Sequence, residues 1–507
     1  MFIDSLLAGG LQFMSALFIF CVGLGVAIAL GLFVMDISQT RDAVRRNYPV
    51  IGRFRYVFSM LGEFFRQYFF AMDREEMPFN RAEREWVDRS ARDSNNTVAF
   101  GSTKSLTPTG TVIFVNCAFP TLTEDAVDMV PMEIGPYCRN PYVAPSFFNI
   151  SGMSYGALST PAVKALSRGA AQAGCWLNTG EGGLSPHHLE GGCDIVFQIG
   201  TAKYGVRNPD GSLSDDGLRE VAAHKSVRMF ELKLSQGAKP GKGGILPGAK
   251  VTAEIAKIRG IKEGEDSISP NRHPEIRTVT QLLDMIAHIR EVSGKPAGFK
   301  SVVGDIDWLE DMCTEIHERG IESAPDFITV DGGDGGTGAA PMPLIDNVGL
   351  PVKEALPMLS DTLHKFGLNE RIRVIASGKL VTPAEVGWAL ATGADFVTSA
   401  RGFMFALGCI QSLKCNKNTC PTGITTHNAR LQKGLNPAEK SVRVASYCRK
   451  LIKEVQIISH SCGVVRPRLM TRKHVRLVQS DGRSVPMNIL YPRPETLPEY
   501  QAHAKAA

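Results

Sequence analysis

DFITVDGGDGGTGAAP, residues 326–341, runs a β-branched strand signal straight into a turn of clustered glycines. Backbone N–H groups uncovered by side chains can cradle a dianionic phosphate, so the turn reads as the ligand end of a parallel strand. Working outward, seven further runs of the same texture flank it: PSFFNIS (145–151), CWLNTG (175–180), IVFQIG (195–200), RMFELKLS (228–235), AGFKSVV (297–303), RIRVIASG (371–378) and DFVTSA (395–400). Amphipathic helix signals separate several of them, as in 160–174, 278–294 and 382–393. Eight strands alternating with helices predict an α/β protein, a (β/α)8 TIM barrel. A doubly wound open sheet is the alternative, but no early strand is followed by a G-x-G-x-x-G fingerprint.

Active sites of such barrels form at the carboxyl ends of the strands. The glycines sit there: GGDGGTGAAP (332–341) after the sixth strand, SGKL (377–380) after the seventh and ARGF (400–403) after the eighth, where Arg401 adds a fixed charge. Three such turns on consecutive strands point to a phosphate-bearing cofactor, whereas any one alone would read as a plain strand exit. Lys233 and Lys300 lie on strands, where an unpaired buried ammonium is costly, so each should point to the mouth. There it can stabilise the N1–C2=O side of a reduced flavin; an internal salt bridge is the plainer alternative. NTGEGG (178–183) carries Glu181 among glycines, and QGAKPGKGGILPG (236–248) puts Lys239 and Lys242 in a loop able to close over a ligand. The interval 236–277 is too long and too rich in Gly, Pro and Lys for a simple connection. A lysine paired with a carboxylate at the mouth can hold a 2-oxo acid, or be no more than a surface ion pair.

Downstream, CIQSLKCNKNTCPTG (409–423) sets Cys409, Cys415 and Cys420 in a C-x5-C-x4-C pattern. Three thiolates converging on one loop suit a [3Fe–4S] cluster. A Cys3His zinc site completed by His427 is the alternative, although structural zinc thiolates usually come in closer pairs, and unligated thiols are the third reading. Eleven cysteines in 507 residues are too sparse for a disulfide scaffold and imply a reducing compartment.

The front of the chain differs from the rest. Residues 14–35 are uncharged throughout and long enough to cross a bilayer. They read as a transmembrane helix, with a signal peptide or a buried core helix as alternatives. Arg41, Arg45, Arg46, Arg53 and Arg55 follow, so the positive-inside rule puts the remainder in the cytoplasm, on a single-pass protein of the cytoplasmic (inner) membrane. Residues 53–72 read as an amphipathic helix at the membrane interface or packed on the globular part. The expected organisation is an anchor (1–35), a charged amphipathic linker (36–95), the barrel (96–450) and a tail (451–507). The net charge of +5, from 56 bases and 51 acids, is dispersed and argues against nucleic-acid binding.

GMSYGALS (152–159), NTGEGG, QGAKPGKGGILPG, DGGDGGTGAAP (331–341) and CIQSLKCNKNTCP together resemble the FMN-binding synthase domain of glutamate synthase over about 96–450. That resemblance implies a barrel holding FMN beside a [3Fe–4S] cluster, in which ammonia and 2-oxoglutarate give glutamate through a 2-iminoglutarate that takes hydride from reduced FMN. It implies cluster ligation by Cys409, Cys415 and Cys420. The backbone at Met153 and Ser154 would line the flavin with Lys233, Lys300, Gly335, Gly336, Ser377, Gly378 and Arg401, and Glu181 and Lys239 would serve the oxo-acid site. Three positions depart from the family pattern: GKGGILPG stands where GEGGQLPG is usual, which changes Lys242 and Ile245, and Asn416 replaces a histidine.

The chain shows no glutaminase module and no NAD(P)H site. Ammonia or another amine is therefore expected free or from a glutaminase partner subunit, and electrons from a ferredoxin-like protein or a membrane quinone. The expected activity is reductive amination of a 2-oxo acid or the reverse oxidation of an amino acid. A non-catalytic membrane scaffold that keeps the barrel is the rival.

Overall fold

Each β-branched run forms a strand, and the glycine and proline punctuation between runs marks where the strands end. The computed structural model describes residues 2–127 and 129–501, apart from the side chains of residues 2–6 and Glu63. The strands are β1 (Phe148–Ile150), β2 (Leu177–Asn178), β3 (Ile195–Ile199), β4 (Val227–Lys233), β5 (Ala297–Ser301), β6 (Phe327–Asp331), β7 (Arg373–Ser377) and β8 (Phe396–Ser399). All pair in parallel with their neighbours in chain order, and β8 pairs with β1, so the sheet closes into a barrel. The TIM-barrel expectation holds, with every strand at its expected place.

The helices between strands follow from their caps. The helix α4 (Thr160–Ala173) starts on the Ser159 side chain, which accepts from the Ala162 N–H, and stops at Gly174 in a left-handed conformation. The others are α5 (Asp215–Ala223), α6 (Val279–Ser293), α7 (Asp307–Arg319), α8 (Val352–Lys365) and α9 (Pro383–Thr392). After β8 a long helix, α10 (Pro437–Ser461), lies along α4. Gly169 permits that approach, because a Cβ there would stand 2.5 Å from the Val444 side chain.

Alternation along the strands sorts the barrel interior into layers. At the amino ends Trp176, Val196, Met229, Phe327, Ile375 and Phe396 form one buried cluster with Ile134, Tyr142 and Ala144. The last three belong to an antiparallel hairpin, 132–134 with 142–144, which closes that end. Each large side chain so buried contributes about 1.5–3 kcal/mol. Two residues further along the strands the interior turns polar, with Asn178, Gln198, Glu231 and Thr329 all buried. Lys233 and Asp331 come last, at the open mouth. The apolar end makes the barrel stable, and the polar end is left for chemistry.

The carboxy-terminal residues fold on the barrel flank. α10 runs without a break across 450–451, the boundary expected between barrel and tail. Residues 475–478 pair antiparallel with 112–114 and with 484–486, and Arg472 binds Asp361 of α8 at 2.7 Å.

The chain separates into two compact units, one up to Ala82 and one from Glu83. In the first, α1 (Phe2–Ser38) includes a stretch, Leu7–Ser38, that is long and apolar enough to cross a membrane. Asp36, near its end, is fully buried. Arg45 and Arg53 both clasp its carboxylate at 2.7 Å, and the Val50 N–H donates to it at 3.0 Å. This clasp folds α2 (Ala43–Asn47) back on the end of α1 and sets the start of α3 (Phe54–Phe65).

Candidate active site

The mouth of the barrel is built by the loops after β2, β4 and β6, and each carries part of one charged cluster. Glu181, in the turn after β2, meets Lys233 of β4 at 2.9 Å and Lys239 of the following loop at 3.6 Å. Both lysines are buried, and Glu181 keeps 19% of its side-chain surface. Burial pushes the Glu181 carboxyl up, but Lys233 and Lys239 outweigh it and hold the group down at about 2. For Lys233 burial wins: although Glu181 favours its charge, the ammonium is brought down to about 8.

A second pair stands beside the first. Lys300 of β5 is paired in register with Lys233 and binds Asp331, the last residue of β6, at 3.1 Å. Burial alone would lower Lys300, yet Asp331 and Glu231 together raise it. Beneath both pairs Glu231 accepts from Asn178 (2.8 Å), Gln198 (2.6 Å) and Thr329 (2.6 Å). Four strands therefore share one buried carboxylate, which fixes the lysines above it. Glu231 and Asp331 are the main site residues that sequence reasoning missed. The signal for Glu231 was present, a lone acid between apolar residues of MFELK, two positions before Lys233.

The loop after β4 is stitched to the loop after β6. The Gly237 N–H donates to Asp331 at 2.9 Å, the Ala238 N–H to the Gly333 carbonyl at 3.0 Å, and Gln236 to the Gly336 carbonyl at 3.2 Å. Glycine is required at 237, because a Cβ there would lie 2.1 Å from the Gly332 oxygen. The same loop places Gly244 against Glu181, where a Cβ would meet the carboxylate at 2.6 Å. Lys242 and Ile245 are exposed, unlike buried Lys239.

The glycine turns after β6, β7 and β8 converge as expected. The Gly332 N–H donates to the Ser377 carbonyl at 2.9 Å, and Gly378, at φ 125°, sits so close that its Cβ would meet the Gly332 nitrogen at 3.0 Å. Arg401 covers the turn: its guanidinium donates to the Asp334 carbonyl at 3.0 Å, and a Cβ on Gly336 would stand 2.8 Å from its Nε. Gly335 is pressed onto the Gly332 carbonyl. Next round the barrel from β8, Met153 and Ser154 follow β1. The Met153 N–H donates to Asn178 and its carbonyl meets Nε2 of buried His188 at 2.9 Å, while Ser154 lies against Gly180. Burial lowers His188 to about 4, so its ring is neutral.

The cysteine loop lies on this same rim. The Ser159 N–H donates to the Ile424 carbonyl at 2.8 Å, His427 meets the Gly156 carbonyl at 2.9 Å, and Asn418 donates to the Ala249 carbonyl at 3.1 Å. Lys250 links the two segments, donating to the carbonyls of Ala157 (2.7 Å) and Cys415 (3.3 Å). Cys409, Cys415 and Cys420 are all free thiols. They sense one another's charge: burial, with the other two thiols, raises Cys409 to about 12. Burial also raises Cys420, but Thr422 and Thr425 outweigh it and bring the thiol below its ordinary value. Among the described residues no group of three His, Cys, Asp or Glu side chains is gathered to hold a metal ion. The residue types alone, three soft sulfurs on one loop with the Thr422 and Thr425 hydroxyls near Cys420, are those an iron–sulfur centre takes. His427, the fourth zinc ligand considered above, has its Nε2 engaged with a carbonyl.

The conserved region in glutamate synthase matches residues 125–465. The glutamate synthase large subunit-like protein YerD of Bacillus subtilis is 38% identical over 510 positions, covering 92% of this chain and 96% of its own. The archaeal-type glutamate synthase [NADPH] of Thermotoga maritima is 33% identical over 344 positions, 67% of this chain and 63% of that one. This chain thus spans less than two thirds of the Thermotoga protein. Among solved structures, a flavocytochrome b2 variant with benzoylformate superposes with a TM-score of 0.47 at 15% identity, covering 82% of this chain and 84% of that one. With its barrel intact and the match running through every strand of it, this chain belongs to the glutamate synthase family.

Proposed function

We propose that this protein is a membrane-anchored oxidoreductase, dependent on FMN and a [3Fe–4S] cluster, that reductively aminates a 2-oxo acid such as 2-oxoglutarate or oxidises the corresponding amino acid. The observation that carries this reading is the Glu181–Lys233–Lys239 cluster at the mouth, beside Lys300–Asp331. Within this cluster two ammonium groups face one carboxylate, a local arrangement that suits an anionic group of a substrate. Lys239 orients the substrate carboxylate, and Glu181, kept ionised by its lysines, holds an ammonium or imine nitrogen next to it. The turns at Gly335–Gly336 and Ser377–Gly378, with Arg401, hold the phosphate of FMN, while Met153, Ser154, Lys233 and Lys300 line its ring. When bound, the flavin supplies or accepts hydride and the cluster single electrons.

Cys409, Cys415 and Cys420 hold the cluster on the rim already occupied by Met153 and Ser154. From 409 to 436 the chain has Lys414, Lys417, Arg430 and Lys433 exposed and no acidic residue, with Leu413 69% exposed at the centre. That surface favours an acidic, ferredoxin-like electron carrier over a quinone. The amine arrives free or from a glutaminase partner. Residues 14–35 anchor the protein in the cytoplasmic membrane and the barrel faces the cytoplasm.

The test is anaerobic reduction of the FMN-loaded full chain by a panel of amino acids, including glutamate and N-methylated forms. Bleaching of the flavin by one of them, lost in Glu181→Gln, is the expected outcome. A chain that binds no flavin after reconstitution would be a scaffold instead.

A further inference from the structure

α3 is a half-cylinder of apolar side chains left uncovered. On a wheel of 3.6 residues per turn, Arg55, Ser59, Gly62 and Arg66 fall on one edge, and Phe54, Val57, Phe58, Met60, Leu61, Phe64 and Phe65 fill about half the circumference on the other. All seven are exposed, from 39% for Phe65 to 68% for Met60. A π-helical turn, Arg66–Phe70, prolongs the surface with Tyr68, Phe69 and Phe70, at 48%, 67% and 74%. The rings pack on one another, as in Phe64 against Tyr68 (4.9 Å between centroids) and Phe65 against Phe69 (5.5 Å). A contiguous apolar surface of this size needs an occupant.

The Asp36 clasp indicates which. It fixes the start of α3 at the end of the apolar stretch Leu7–Ser38, by two guanidinium groups and a backbone N–H on one buried carboxylate. It even holds Val50, a β-branched residue, at φ 65°, a conformation that persists only where surrounding contacts over-determine it. Wherever α1 leaves the lipid, α3 starts. Its aromatic composition and its arginine-bearing edge match the boundary between acyl chains and headgroups, where rings bury and guanidinium groups reach phosphate.

We infer that α3 and the turn after it form a second, monotopic membrane contact: an aromatic foot lying in the bilayer interface, held there by the Asp36 clasp. The inference deepens the anchored reading above, and its lipid partner is a phospholipid surface bearing anionic headgroups.

The full chain carrying Phe65→Trp, and separately Ser59→Trp, is reconstituted into phosphatidylcholine–phosphatidylglycerol vesicles with acyl chains brominated near the headgroup. The added fluorescence is read as the difference from the parent. Trp at 65 is expected to lose at least half its emission, and Trp at 59, on the polar edge, clearly less. Alkaline carbonate extraction of the same vesicles reports α1 separately. Quenching at 65 supports the foot whether or not carbonate releases the chain, and release would remove only the span. Equal emission in brominated and plain vesicles overturns the foot, even if the chain resists extraction, and would give that face to a protein surface, such as a second copy.

Discussion

Glu231 accepts three hydrogen bonds inside the barrel and adds to the field that keeps Lys300 charged. Replacing it by glutamine keeps the shape but removes the charge and turns one acceptor into a donor, so the Thr329 hydroxyl must turn to accept it and the charge-assisted bonds from Asn178 and Gln198 are weakened. Glu231→Gln should therefore lose about 1–3 kcal/mol of stability, measured by chemical denaturation, and should weaken flavin retention, measured by ultrafiltration. Lys233 gives a second residue-scale expectation. Its ammonium is lowered to about 8, so it is charged below that pH and neutral above it. With Lys239 still holding the substrate carboxylate, affinity for an anionic 2-oxo acid should be flat below pH 8 and decline above it by less than the roughly tenfold per unit of an obligatory proton, as the neighbouring Lys233 charge is lost. Lys233→Met should abolish the slope in a binding titration across pH 7–10. The lysines were legible in sequence because an ammonium on a strand breaks the apolar pattern. The partners of Glu231 were not, since Asn178, Gln198 and Thr329 come from three other strands and meet only when the barrel closes.

Among the elements, the loop after β4 has the least freedom. Gly237 sits where any Cβ would strike the Gly332 carbonyl at 2.1 Å, and its N–H holds Asp331. Gly237→Ala should cost about 1–3 kcal/mol by overpacking and should separate the loops after β4 and β6, raising the dissociation constant for FMN at least tenfold in a fluorescence titration. The strands and the helices α4, α6 and α9 were legible to within about two residues, because β-branched runs, Ser or Thr caps and terminal glycines are local signals. What the loops do was legible only in part. Lys239 and Lys242 look alike in QGAKPGKGG, yet only Lys239 turns inward to Glu181, and no local rule separates them. Lys250, which bridges to the cysteine loop, carries no pattern at all in the sequence.

At the scale of the whole molecule, burial has neutralised two histidines that support the rim. His188 holds the Met153 carbonyl and His273 the Lys233 carbonyl, and burial lowers each from 6.5 to about 4. Between those values the unfolded chain binds protons that the folded chain refuses, so stability falls as pH drops from 6.5 towards 4. Each site contributes up to about 1.4 kcal/mol per unit. Thermal midpoints of the full chain in detergent should therefore decline steadily below pH 6.5. His188→Gln with His273→Gln should flatten that decline, and an unchanged decline would show that other groups govern it.

The most direct measurement is FMN stoichiometry and its response to a ligand. The full chain, reconstituted anaerobically and freed of excess flavin, should retain one FMN per chain. Its visible absorption should shift when 2-oxoglutarate is added, and the shift should vanish in Glu181→Gln and Lys239→Met while the flavin stays bound. No retained flavin, or a shift that survives both substitutions, would contradict the assignment of the barrel mouth as a flavin and oxo-acid site.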